Sequence, residues 1–273
     1  MKIKQHIPNA ITCGNLVCGC LAIVQAFNGN LVWAAYLVGI AAVLDFFDGF
    51  AARLLKVSSA IGKDLDSLAD MVTFGVVPGV VMFQMIRMSN LWDLSIESHG
   101  DFGAFLENQY INNPWSYIAF LIPVFSALRL AKFNNDTRQS DSFIGVPTPA
   151  NAILICSVAL IVSLYPIHFR TSIAPSIEAS YSFYYYIVSL FNSTSFLIIT
   201  TIVCSILLVA PIQLIALKFK NFGWKGNEVR FVFLILALVL LSVFQYMGIP
   251  FVILFYVLLS VINNLLVGKK SEN

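Results

Sequence analysis

Asp45, Asp48, Asp66 and Asp70 are the carboxylates on which a chemical reading of this chain turns. They stand in Asp45-Phe-Phe-Asp48-Gly49-Phe-Ala-Ala52-Arg53 and, eight residues further on, in Gly62-Lys-Asp-Leu-Asp66-Ser-Leu-Ala-Asp70. An uncompensated carboxylate at membrane depth costs at least about 2.5–3.5 kcal/mol. Four together call for a compensating charge, most simply a divalent metal. Residues three or four apart share one face of a helix, so each pair projects together. Four oxygen donors suit a hard cation such as Mg²⁺, or two cations bridged by shared carboxylates. Such a site keeps positions open for phosphate oxygens. With Arg53 beside it, it could neutralise a pyrophosphate and stabilise the charge that develops in phosphoryl transfer. A carboxylate not fully committed to metal could take a proton from an attacking hydroxyl. Gly49 and Gly62 remove side chains where a ligand or a helix backbone must come close, and Ala52 keeps the wall beside Arg53 thin. Asp64 lies off this face and reads as a solvated helix-start charge.

The elements that must position these residues are membrane helices. Of 273 residues, 59% are hydrophobic and 11% charged, with a mean hydropathy of +0.83. Soluble domains carry about 25% charged residues. Runs of about 20 apolar residues, the length of a span, occur near 8–28, 31–55, 65–88, 115–134, 149–166, 186–212, 229–247 and 249–267. The last two meet at Gly248 and Pro250, a tight turn or re-entrant corner. The start reads as a retained first helix, because Pro8, Asn9, Thr12 and Asn15 interrupt its apolar run and no cleavage site follows. With both ends cytoplasmic, only Arg87 and Arg170 among the sixteen Lys and Arg fall outside, while Asp93, Glu97, Asp101, Glu107 and Glu178 occupy outer loops. That is the positive-inside pattern. The fold class expected is therefore all-α, a polytopic integral membrane protein of about eight helices. The aspartates lie at the cytoplasmic ends of helices two and three, which the short turn makes antiparallel neighbours.

The pattern Asp-x-x-Asp-Gly-x-x-Ala-Arg, eight residues, Gly-x-x-x-Asp-x-x-x-Asp resembles the signature of the CDP-alcohol phosphatidyltransferases. Every fixed position is met, by Asp45, Asp48, Gly49, Ala52, Arg53, Gly62, Asp66 and Asp70. The resemblance implies an enzyme in which an alcohol displaces CMP from a CDP-linked lipid. It implies two divalent ions, Mg²⁺ or Mn²⁺, on the four aspartates, with Asp70 also serving as base. It further implies a six-helix catalytic core, here 1–212, with 213–273 forming two additional helices in an accessory or dimer-associated role.

Three more stretches are similar to those family members that use serine. They are Pro8-Asn9-Ala-Ile-Thr12-Cys-Gly-Asn15-Leu16, then Asp66-Ser67-Leu68-Ala69-Asp70-Met-Val-Thr73-Phe74-Gly75-Val-Val-Pro78, then Arg129-Leu-Ala-Lys132-Phe133-Asn134 with Phe143-Ile-Gly145-Val-Pro147-Thr148-Pro149. Many members carry arginine where this chain has Lys132. The substrates implied are CDP-diacylglycerol and L-serine, in a homodimer in a bacterial cytoplasmic membrane. Thr12 and Asn15 are expected either at the nucleotide or in interhelical hydrogen bonds. Ser67, Arg129 and Lys132 are candidates for the serine; the two cations could equally hold a lipid phosphate or anchor the helix at the interface.

Two rival readings remain. One keeps the chemistry with glycerol 3-phosphate or an inositol compound as acceptor, which would call for more basic residues near the site. The other is a cation-coupled transporter, which predicts a path through the bilayer rather than acidic residues near one face. Nucleic acid is excluded as a partner, since the basic residues cluster at helix ends and form no basic face. Cys13, Cys18, Cys20, Cys156 and Cys204 all fall in apolar stretches and read as small packing residues.

Overall fold

The computed structural model describes residues 2–57, 59–94, 113–135, 143–164, 186–215, 223 and 227–271. Among these the chain is helical almost throughout, as expected of an all-α polytopic membrane protein. Helix α1 (Lys2–Phe27) folds back on α2 (Leu31–Leu55). Next comes α3 (Ala60–Asp70), which a π-helical turn (Met71–Val76) joins to α4 (Val77–Leu94). A 3₁₀ segment (Pro114–Phe120) runs into α5 (Leu121–Asn135), followed by α6 (Thr148–Leu164). The helical segment α7 (Tyr186–Asn192) is bent by 70° from α8 (Thr194–Val209). Last come α9 (Glu228–Phe244) and α10 (Gly248–Ser271).

Among the described residues, five helical stretches are long and apolar enough to cross a membrane, six if the bent pair counts as one. The expected span 186–212 is thus a broken one. Helix α6 has 17 residues and is shorter than a usual span, yet it is buried on nearly all sides. The stretch Glu228–Asn264 contains two helices: Gln245 (φ 50°) reverses the chain, and the Phe233 and Tyr256 rings come within 5.4 Å. Glu97, Asp101, Glu107, Arg138, Arg170, Glu178, Lys218, Lys220 and Lys225 lie outside the described residues.

Helix α1 and helix α2 meet through small side chains, among them Ala22, Ala26, Ala34 and Ala41, all fully buried. Small residues allow close helix approach where lipid offers no hydrophobic drive between helices. Gly19 takes this to the limit, because a Cβ there would lie 2.4 Å from Thr73 Oγ1. The stretch Ile61–Ser89 is 72% buried against 28% for each of the first two spans, which makes it the centre of the bundle. Buried polar groups tie the layers together. Gln84 Nε2 donates to the Ala26 carbonyl at the end of α1 (2.9 Å), and Asn113 Nδ2 donates to Ile86 O (3.1 Å) while its Oδ1 caps the Pro114 segment. Away from water each such bond removes an unsatisfied carbonyl.

One expectation needs correction. Helices α2 and α3 do not pack along each other as an antiparallel pair; α1 packs against both. The aspartate pairs therefore meet across a gap, and the gap is where a ligand can enter.

Candidate active site

Asp45 and Asp48 sit one turn apart near the end of α2, and Asp66 and Asp70 one turn apart at the end of α3. The α2 helix stops at a left-handed Lys56 (φ 52°), with the Val57 N–H donating back to the Ala52 carbonyl (3.0 Å). Such an αL residue is a standard helix stop. Helix α3 begins at Ala60, a full turn earlier than the apolar run suggests, because Ser59 caps it: Ser59 Oγ accepts the Gly62 N–H at 3.0 Å. These stops and starts bring the two pairs to one level.

Asp45, Asp48 and Asp66 each bring a carboxylate oxygen within 4.8 Å of the others. Asp70 is not part of that triple. It lies behind it, its carboxyl meeting that of Asp45, and its Oδ1 is buried without a hydrogen-bond partner. An all-oxygen donor set at this spacing, with an orphaned carboxylate oxygen next to it, fits a hard divalent cation. Without one, like charges this close repel.

Thr12 Oγ1 donates to Asp48 Oδ2 at 2.6 Å and so orients one of the three carboxylates from α1. Asp48 and Asp66 open on a cleft of about 270 Å³ lined also by Pro8, Asn9, Thr12, Gly49, Ala52, Val57, Ser59, Gly62 and Lys63. All its walls come from α1, α2, α3 and the short link between the last two. The two glycines act differently. A Cβ on Gly62 would lie 3.0 Å from Asn9 Oδ1 and Ser59 Oγ, so Gly62 admits α1. Gly49 lines the cleft, and a Cβ on it would meet nothing within 4 Å.

The other expected site residues divide. Asn15 is fully buried, its side-chain atoms have no partner, and its carbonyl accepts from Thr73 Oγ1 (3.2 Å). Arg53 is exposed and does not line the cleft; its Nε donates to the Gly49 carbonyl (3.0 Å). Ser67 accepts from Asn134 Nδ2 (2.9 Å), which links α3 to the end of α5. Arg129 is buried beside Asp70, its Nε has no partner, and its guanidinium stands 5.7 Å from the Phe133 ring centroid. Lys132, one turn on, is exposed.

Lys63, not singled out from the sequence, is the cation that does line the cleft. Its position three residues before Asp66 was the available signal. The π-helical turn directly after Asp70 was also unforeseen. There the Val77 N–H donates to the Val72 carbonyl five residues back, just ahead of Pro78, which has no N–H to give. Single π turns inside helices are frequent at functional sites.

Comparison with known proteins adds the following. The family model described as CDP-alcohol phosphatidyltransferase matches residues 5–207. A Helicobacter pylori CDP-diacylglycerol–serine O-phosphatidyltransferase is 33% identical over 160 residues, 58% of this chain and 59% of the relative. The Bacillus subtilis protein of the same name is 34% identical over 163 residues, 60% of this chain and 79% of the relative. An archaetidylserine synthase of Methanothermobacter thermautotrophicus is 29% identical over 163 residues, 58% of this chain and 60% of the relative. The match thus spans about 59% of the Helicobacter relative's length.

Proposed function

The chain belongs to the CDP-alcohol phosphatidyltransferase family, and from that premise we propose that it transfers the phosphatidyl group of CDP-diacylglycerol to the hydroxyl of L-serine. Phosphatidylserine and CMP are the products. The observation that carries the reading is the convergence of Asp45, Asp48 and Asp66 within 4.8 Å, two of them, Asp48 and Asp66, lining a cleft large enough for a nucleotide phosphate. The choice of serine rests on the flanking motifs and on the names of the Helicobacter and Bacillus relatives.

Asp45, Asp48, Asp66 and Asp70 would hold two divalent ions, Mg²⁺ or Mn²⁺, which would supply positive charge against pyrophosphate oxygens and the charge developing at phosphorus. Thr12 fixes Asp48, and Asn15 supports α1 behind it. Gly49, Ala52 and Gly62 leave room for the CDP group, with Lys63 in the cleft wall as its cationic partner and Arg53, one turn from Gly49, turning its exposed guanidinium to a phosphate on binding. The serine enters from the side of α5, where Arg129, Lys132 and Ser67 receive its carboxylate and ammonium. Asp70 takes the hydroxyl proton at Oδ1, the serine oxygen bonds to the lipid-side phosphorus, and the bond from that phosphorus to CMP breaks. Residues 1–212 form the catalytic core and 213–273 an accessory pair of helices. The enzyme is a homodimer in a bacterial cytoplasmic membrane, with both termini and the site at the cytoplasmic face. The basic residues concentrated on that side support this orientation.

Purified protein given CDP-diacylglycerol, Mg²⁺ or Mn²⁺, and serine, glycerol 3-phosphate or inositol in turn is expected to release CMP with serine alone. A robust product from another acceptor, with serine inert, overturns the choice of acceptor. Gly49→Ala gives a sharper check on the cleft. The new methyl touches nothing in the protein, and a helical Gly→Ala change stabilises by about 0.5–1 kcal/mol. Melting temperature should therefore hold or rise, while KM for CDP-diacylglycerol rises about ten-fold, the scale of one misfit methyl group in a binding pocket.

A further inference from the structure

The family match ends at residue 207, before α9 and α10 begin, so this pair is without a task in the chemistry just described. Three side chains on α10 supply one. Tyr256, Ser260 and Asn264 recur every four residues and form a stripe on one face of the helix. Tyr256 Oη donates to the Ile215 carbonyl at 2.8 Å, Ser260 Oγ accepts the Ile215 N–H at 3.2 Å, and Asn264 Nδ2 donates to the Gln213 carbonyl at 2.6 Å. The stripe thus grips the backbone of the segment that follows α8.

That segment holds something else. Its strand β2 (Gln213–Leu214) pairs antiparallel with β1 (Phe143–Ile144), the stretch that leads into α6. Just beyond the pairing, the Gly145 N–H donates to Ile212 O (2.8 Å) and the Val146 N–H to Leu207 O (3.0 Å). Gly145 turns in the left-handed region (φ 77°), and a Cβ there would lie 2.5 Å from the Leu208 carbonyl oxygen, so the turn is seated without slack. Two strands of two residues are too short to hold themselves. The α10 side chains are the support that the ladder lacks. Helix α10 is itself fixed at its start, where Met247 in the turn just before it is fully buried in the core.

What the turn carries is the start of α6. Thr148 and Asn151 are buried there, and Thr148 Oγ1 and Asn151 Nδ2 have no hydrogen-bond partner. Helix α6 packs against α2 and against the π turn that follows Asp70. The cleft proposed for CDP has no wall from α5 or α6. The side of Asp70 that faces those helices is therefore the acceptor's side.

We propose that Tyr256, Ser260 and Asn264 are positioning residues, which hold the Gly145 turn through the 213–215 segment and so set the acceptor side of the site. The assignment to an acceptor rests on the transferase reading above; the mechanical link does not. Asn264 is half-buried and its bond to Gln213 is open to the surface, so Asn264→Ala leaves no closed cavity, and Ser260→Ala is nearly isosteric. In both variants the Gly145 and Val146 amides should exchange hydrogen faster than in the wild-type chain. KM for serine should rise about five-fold, the scale of one lost hydrogen bond, with KM for CDP-diacylglycerol unchanged. Asn264→Gln, which keeps the donor, should restore both. Unchanged amide exchange, or both KM values rising together, overturns the proposal. A wild-type chain inactive with every acceptor would sink the transferase reading, and the exchange measurement would still decide whether α10 braces the turn.

Discussion

Asp70→Asn is expected to lower serine-dependent CMP release by about 10²–10⁴-fold, the range for losing a positioned general base, while folded protein still accumulates in the membrane. The amide matches the carboxylate in size but cannot take a hydroxyl proton. Asp70 is also the member of the four that stands apart from the triple of converging oxygens. Its Oδ1 is buried and unpartnered, and Arg129 lies near the residue. A carboxylate in that position adds to the metal set from its edge and can also take a proton where the reaction needs one. The decisive control is divalent binding. Mg²⁺ should still raise the melting temperature of Asp70→Asn, because Asp45, Asp48 and Asp66 remain. Turnover near the wild-type rate removes Asp70 as base. Loss of both turnover and the Mg²⁺ response would instead make it chiefly a ligand.

How much of this site was legible in the sequence follows from what spacing encodes. Helical periodicity places Asp45 with Asp48, and Asp66 with Asp70, because i,i+3 and i,i+4 neighbours share a face in any α-helix. Apolar runs likewise mark the helices, and Leu31–Leu55 falls where hydropathy puts it. Spacing is silent on what lies between two elements. It suggested that α2 and α3 pack together, whereas α1 packs on both and leaves the cleft between them. That arrangement depends on Gly62 admitting Asn9 and Gly19 admitting Thr73, contacts between residues far apart in the chain. A charged residue's type also says nothing of where its flexible side chain points. Arg53 bonds its own helix and Lys63 lines the cleft, though both are basic and both flank the aspartates. The pairing of 143–144 with 213–214 was the least legible element, since two-residue strands carry no periodicity.

Losing the converging carboxylates should cost turnover on a similar scale to losing the base, and in a way that identifies them as a unit. Asp45→Asn and Asp66→Asn, one from each helix, are each expected to reduce turnover by about 10²–10³-fold, the scale of a group that acts on developing charge. The double variant should be little worse than either alone, because groups that function together are strongly non-additive. Binding should report the same defect without any chemistry. A ligand held by the folded chain at one hundred times its Kd stabilises by about 2.7 kcal/mol, so Mg²⁺ or Mn²⁺ should raise the melting temperature of the wild-type protein and EDTA should reverse this. Both variants should have lost that response. In the absence of divalent ions they should melt no lower than wild type, since each removes one of several like charges crowded within 4.8 Å and thereby relieves repulsion. Two carboxylates engaged in helix packing alone would behave in the opposite way: their loss would lower melting with or without metal, and the two effects on turnover would simply multiply.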